Sequence, residues 1–153
     1  EEILDQKQIE MTLDVMANSL VYWVQDLVQA NLFADDARIF SMTSEGNQRI
    51  MPAYGPVSAA KVALESYTRQ LAVELAPYNI KVNCIQAGVT DTPALRAIPG
   101  HEQMIEFARH RNPFRRLTSP DDVAHAIAEF SRPGLCWMTG NVIRVDGGEF
   151  IVP

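Results

Sequence analysis

Three short apolar runs, residues 37–43, 80–86 and 142–145, are separated by stretches in which apolar residues recur every three or four positions. That alternation leaves few architectures open. Runs of this length between turn residues read as strands, and the longer periodic stretches as helices. In the second run Ile80, Val82, Cys84 and Ile85 are close to continuous, which points to strands covered on both faces and therefore parallel. Residues 5–33 read as one long helix with a stripe of Ile9, Leu13, Met16, Leu20, Trp23 and Leu27, widened by Val21, Val24 and Val28. A second stripe, Val57, Ala60, Leu64, Tyr67, Leu71 and Leu75, starts behind Pro56 at the first helical position and stops near Ala76-Pro77. Ser119-Pro120-Asp121-Asp122 is a helix start, with Ser119 as cap and acids in the first turn, and Asp146-Gly147-Gly148 is a turn closing the last strand. Helix, strand, helix, strand, helices, strand is an α/β order with right-handed crossovers, and ligands in such folds sit beyond the carboxyl ends of the strands.

At 153 residues, 47% hydrophobic and 21% charged, the chain fits one domain with a real core. Its net charge of −6 argues against nucleic-acid and anionic-membrane partners. No apolar run approaches the roughly 20 residues of a membrane span, and the two cysteines, Cys84 and Cys136, are too few for a disulfide framework. A cytoplasmic setting is the expectation. His101, His110 and His125 have no ligand spacing with the cysteines, so no metal site is expected. The width of the first helical stripe suggests burial on two sides, against a sheet and against another helix. Coverage of its own sheet alone is the other reading.

Ser44, Tyr54 and Lys61 lie on the approach to the second helix and in its first turns. Tyr54 and Lys61 are seven residues apart, nearly two turns, so a regular first turn puts both on one side about 10 Å apart along the axis. A nearby ammonium favours the phenolate form and makes the phenol a better proton donor at neutral pH. Such a phenol can stabilise charge developing on a carbonyl oxygen. The plainer readings are a half-buried aromatic, a solvated lysine and a turn serine bonded to its own backbone.

Around these residues the segments A-R-I-F-S-M-T-S, Y-G-P-V-S-A-A-K, I-K-V-N-C-I-Q-A-G and T-G-N-V-I-R-V-D-G-G resemble the short-chain dehydrogenase/reductases over nearly the whole chain. Most of that superfamily has tyrosine four residues before the lysine, where this chain has Val57. Tyr-x6-Lys is instead the enoyl-acyl-carrier-protein reductase pattern, and A-G-V-T-D-T-P-A-L-R and N-P-F-R-R-L-T-S-P-D-D-V resemble the branch that keeps a serine at the end of the preceding strand. The resemblance implies NADH- or NADPH-dependent reduction of trans-2-enoyl thioesters carried on acyl-carrier protein or coenzyme A, in fatty acid synthesis. Tyr54 and Ser44 would attend the carbonyl. Lys61 would hold the ribose, and Gly88, Thr90 and Thr92 would border the nicotinamide. Residues 93–115, with Leu95, Ile98, Met104, Phe107 and Phe114, would form a lid over the acyl chain. The two long helices would pack across a subunit interface, giving a dimer or tetramer. The superfamily's relay asparagine falls by register on Met16, with Asn18 two residues away, so its role is not carried over.

The glycine-rich pyrophosphate turn expected of the family has no counterpart here. Residues 1–153 therefore read as the carboxyl-terminal, catalytic half of a Rossmann-type sheet in three α/β/α layers, one partial domain without the adenosine site and inactive alone. The alternatives are another dehydrogenase/reductase acting on a ketoacyl group or an alcohol, and an inactive self-associating fragment.

Overall fold

The computed structural model describes residues 4–51, 54–98 and 100–153. Strands β1 (Arg38–Ser44), β2 (Lys81–Ala87) and β3 (Val142–Val145) form one parallel sheet in the order β1-β2-β3. The first two each begin one residue later than the sequence pattern suggests. The register runs from Arg38 opposite Lys81 to Ser44 opposite Ala87, and from Cys84 opposite Val142 to Ala87 opposite Val145. All three strands therefore end at one edge, and the loops leaving them are neighbours. Five consecutive β2 residues, Val82 to Gln86, are buried, which is the two-sided burial anticipated for a middle parallel strand.

The first helical region departs from expectation. In place of one regular helix over 5–33 there is α1 (Gln6–Leu13), a π turn (Asp14–Asn18) and α2 (Ser19–Gln29). A π turn carries one residue more than an α turn. The inward face after it moves along the sequence by one: Ala17 and Val24 are buried, Val28 packs on the core, and Trp23, read as part of the stripe, is 70% exposed. The turn is tied from both sides, since the Tyr22 hydroxyl donates to Asp14 at 2.9 Å and the Tyr67 hydroxyl donates to Asn18 at 2.9 Å.

Helix α3 (Gly55–Glu74) begins one residue before Pro56 and gives way to a 3-10 turn at Ala76–Tyr78 where proline stops it. Its inward residues Leu71 and Ala72, with Leu75 beyond its end, meet Val24 of α2 and Ile80 and Val82 to form the main core. Ala60 and Leu64 join Ala17 in a second cluster nearer the strand ends. Each fully buried valine, leucine or isoleucine among them contributes about 1.5–3 kcal/mol. Between helix and sheet the Ser41 and Thr68 hydroxyls pair at 2.8 Å beside Cys84, whose thiol burial pushes to a higher pKa. At the other end of the sheet Arg38 and Lys81 converge on Asp36, and hydrogen bonds from Arg38 first and Lys81 second draw its carboxyl from 3.8 to about 2.

Two short helices, α4 (Pro93–Arg96) and α5 (His101–Arg111), fill the long connection after β2, and α6 (Pro120–Phe130) packs against β3. Ser119 caps α6 as anticipated: it accepts from the Asp122 amide at 3.2 Å, and the Asp122 carboxylate accepts from the Ser119 amide at 2.8 Å. In the Asp146-Gly147-Gly148 turn both glycines have left-handed φ, 60° and 82°, and Asp146 accepts from the amides of Gly148 and Phe150. Among the described residues no helix is long and apolar enough to cross a membrane.

Candidate active site

A cleft of about 1020 Å³ opens beyond the carboxyl ends of the strands. Ser44, the last residue of β1, stands on its floor, and its Oγ lies 3.4 Å from the Tyr54 hydroxyl. Tyr54 is the cap residue of α3, with φ −97° and ψ 2°, rather than a member of its first turn. The two-turn geometry anticipated for Tyr54 and Lys61 is therefore altered: the phenol turns toward the strand end. Its ring lies over Gly46, where an added Cβ would sit 2.3 Å from Cε1. That close approach is what keeps position 46 free of a side chain.

Lys61, on α3, reaches back to the sheet and donates from Nζ to the Met42 carbonyl oxygen at 2.8 Å. Burial lowers its pKa below the ordinary lysine value. An ammonium has three donors, so two remain for other acceptors. One turn later Glu65 accepts from the Thr43 hydroxyl at 2.8 Å and from the Asn47 amide nitrogen. It thereby pins both sides of the Ser44–Gly46 segment.

The loop leaving β2 forms another wall, with Gly88, Thr90 and Thr92 lining the cleft. The Thr90 hydroxyl donates to the Gly88 carbonyl oxygen at 2.9 Å, while Thr92 caps α4 by accepting from the Leu95 amide at 3.2 Å. As an acceptor in that cap, the Thr92 oxygen keeps its own hydrogen for a further partner. Gly88 is packed tightly: a Cβ there would lie 2.4 Å from Thr118 Oγ1 and 2.9 Å from a Glu149 carboxylate oxygen. Leu95 of α4, Ile98 just beyond it, and Met104 and Phe107 on α5 line the cleft. Phe114 does not; it is 75% exposed. Among the described residues no cluster of histidine, cysteine or carboxylate side chains is arranged to hold a metal.

Several residues escaped the sequence pattern. Met16, lifted into the cleft wall by the π turn, adds a thioether to those of Met51 and Met104. A chain of alternating charge runs Arg49, Glu45, Arg111, Glu149: Arg49 Nε to Glu45 at 2.9 Å, Arg111 Nη2 to Glu45 at 2.5 Å and to Glu149 at 2.9 Å. The Arg111 and Glu149 side chains are 3% and 1% exposed. Desolvation raises the Glu149 pKa, opposed by the hydrogen bond from the Val89 amide and the charge of Arg111. Glu45 directly follows Ser44, but nothing local to Glu149 marks it as the partner of an arginine 38 positions earlier.

A family model described as enoyl-(acyl carrier protein) reductase matches residues 2–149. The chain is 35% identical over 123 residues to 1-cyclohexenylcarbonyl-CoA reductase of Streptomyces collinus, covering 79% of this chain and 44% of that protein. It is 40% identical over 110 residues to the chloroplastic NADH enoyl-[acyl-carrier-protein] reductase of Arabidopsis thaliana, covering 71% and 28%. The crystal structure of the NADH enoyl-[acyl-carrier-protein] reductase of Aquifex aeolicus superposes with a TM-score of 0.89 at 27% identity, over 97% of this chain and 57% of that one. The chain thus spans about half the length of the relatives it matches, or less, and its three-stranded parallel sheet is part of their Rossmann-type fold.

Proposed function

The chain belongs to the enoyl-(acyl carrier protein) reductase family, within the short-chain dehydrogenase/reductases, and we propose on that premise that it is the catalytic half of an NAD(P)H-dependent reductase of trans-2-enoyl thioesters. The observation that carries the reading is the meeting of the Ser44 and Tyr54 hydroxyls, 3.4 Å apart, on the floor of a cleft whose upper wall is apolar. A thioester carbonyl seated there faces two hydroxyl donors, while the acyl chain lies against Ile98, Met104 and Phe107.

The nicotinamide and its ribose fit the donor set that is present. Lys61 has two free donors, and the Thr92 hydroxyl has one. Gly88–Thr92 offers backbone to a flat ring, and α4 and α5 stand beside it. When bound, the nicotinamide supplies a hydride to the β-carbon of the enoyl group. Tyr54 hydrogen-bonds the carbonyl oxygen as negative charge develops on it, and Ser44 shares that task. Lys61 holds the ribose hydroxyls with its free donors and keeps positive charge at the site. The apolar lid excludes water from the charge that forms.

Exposed apolar side chains on the helical face, Val15, Tyr22 and Trp23 of the first helical region and Val62 and Val73 of α3, support self-association as the family resemblance implies. Sedimentation velocity on the purified protein tests it, and a monomer at all concentrations would remove that part of the proposal. The reaction itself is tested by following loss of reduced-nicotinamide absorbance with a trans-2-enoyl thioester, NADH and NADPH in parallel, on the full-length protein that carries this chain. Turnover of a 3-ketoacyl thioester with none of the enoyl substrate would replace the reading with the ketoreductase alternative.

A further inference from the structure

Loops after all three strands meet in one buried group of charges, and Glu149 is its centre. Glu149 comes from the turn that follows β3. One carboxylate oxygen accepts from Arg111 Nη2 at 2.9 Å, and the other accepts from the backbone amide of Val89, in the loop after β2, at 3.2 Å. The same Arg111 nitrogen donates to Glu45, which follows Ser44 at the end of β1. Arg111 is the last residue of α5, and its guanidinium lies 5.5 Å from the ring centroid of Phe107, which lines the cleft. The outer end of the chain is anchored too: Arg49 pairs with Glu45 and donates to the carbonyl oxygens of Phe150 and Val152 at 3.4 Å.

A buried ion pair by itself is a poor source of stability, because desolvating two charges consumes most of what their attraction returns. Apolar residues of similar volume would fill the space without that desolvation cost. What they could not do is accept the Val89 hydrogen bond or tie α5 to the two loops at once. The proximity of Glu149 to Gly88 also shows how closely the carboxylate is set into this loop, since a Cβ at position 88 would meet it at 2.9 Å.

We propose that Glu149 is a positioning residue: through the Val89 amide it sets the loop Gly88–Thr92 that walls the cleft, and through Arg111 and Glu45 it locks that loop in register with Ser44 and with α5. This rests on the reading of Gly88–Thr92 as the nicotinamide wall. Loss of the tether then loosens the grip on the nicotinamide more than it slows the chemistry at Tyr54.

Two variants test it in the full-length protein. In Glu149→Gln one side-chain oxygen remains, and it cannot serve Val89 without turning the amide N–H groups toward Arg111. The double variant Arg111→Met, Glu149→Leu removes both charges and leaves Val89 without an acceptor, while keeping the volume apolar. KM for the reduced nicotinamide is expected to rise about tenfold in both, with kcat changed less, as for a lost charge-assisted hydrogen bond. Hydrogen exchange at the Val89 amide should speed up about tenfold or more in both. A double variant with parental KM and parental Val89 protection overturns the inference and leaves the charges as packing alone. If the parent reduces no enoyl thioester, the functional reading falls by itself. The Val89 exchange ratio then decides, and an unchanged ratio overturns the positioning role.

Discussion

Substituting alanine for Gly46 tests the site through a single contact. A Cβ at this position would stand 2.3 Å from Tyr54 Cε1 and 3.0 Å from Cζ, where ordinary contact begins at 3.4 Å. The Met51 methyl, at 3.0 Å, is a flexible end and can swing aside. The tyrosine ring must retreat by about 1 Å, and a misplacement of that size in a reacting group lowers turnover about a hundredfold. Gly46 does not have a left-handed φ, so alanine introduces no backbone strain there. The control is Gly55→Ala, next to Tyr54 on its other side, where a Cβ meets nothing within 4 Å. That change should leave turnover intact and stabilise by about 0.4–1 kcal/mol through the unfolded chain. Steady-state turnover and thermal melts on the two variants in the full-length protein give the comparison. If Gly46→Ala, still folded, turns over as fast as Gly55→Ala, the assignment of the chemistry to a phenol packed on Gly46 is wrong.

Tyr54→Phe should cut kcat by about a hundred- to a thousandfold, in the range of a lost oxyanion donor, with cofactor affinity nearly intact; fluorescence titration of the reduced nicotinamide beside the kinetics separates the two, and unchanged kcat moves the donor elsewhere. Lys61→Ala should weaken that titration as well as the rate, because Lys61 is assigned to the ribose; an unchanged titration curve would leave it a lysine serving only the Met42 carbonyl. Asp36 is held at about 2 in the fold against 3.8 ordinarily, so its contribution is complete above pH 3.8 and disappears as pH falls toward 2. Melting temperatures across that window should therefore fall more steeply for the parent than for Asp36→Asn, and parallel curves would show that the Arg38 and Lys81 bonds count for nothing in acid.

What the sequence disclosed is what periodicity and local chemistry can carry. β2 announced itself because burial on both faces makes nearly every residue apolar, and the Ser119 cap because its partner is three residues away. Ser44 and Tyr54 were legible as types at a spacing, and the fold brings them together; Lys61 turned out to face the Met42 carbonyl. The π turn was not legible, because Asp14–Asn18 holds no proline or glycine to mark a break and its ties to Tyr22 and Tyr67 are made in space. Trp23 was misplaced for that reason, one position from the buried Val24. Glu149 and Arg111 were invisible for the same physical cause: a pair joined across 38 positions leaves no periodic trace, and each alone reads as a solvated charge.

The π turn has the form of one surplus residue held between two helical segments that both keep their packing. Leu13 before it and Val24 after it still meet the body of the protein, and the surplus is absorbed where Met16 enters the cleft. A lineage that dropped one residue here would lose part of the cleft wall and keep the main core; one that changed Met16 would reshape that wall and touch only the smaller cluster of Ala17, Ala60 and Leu64. Ancestry recorded in the packing of this helix and ancestry recorded in the shape of its cleft can therefore diverge, and they separate at these five residues.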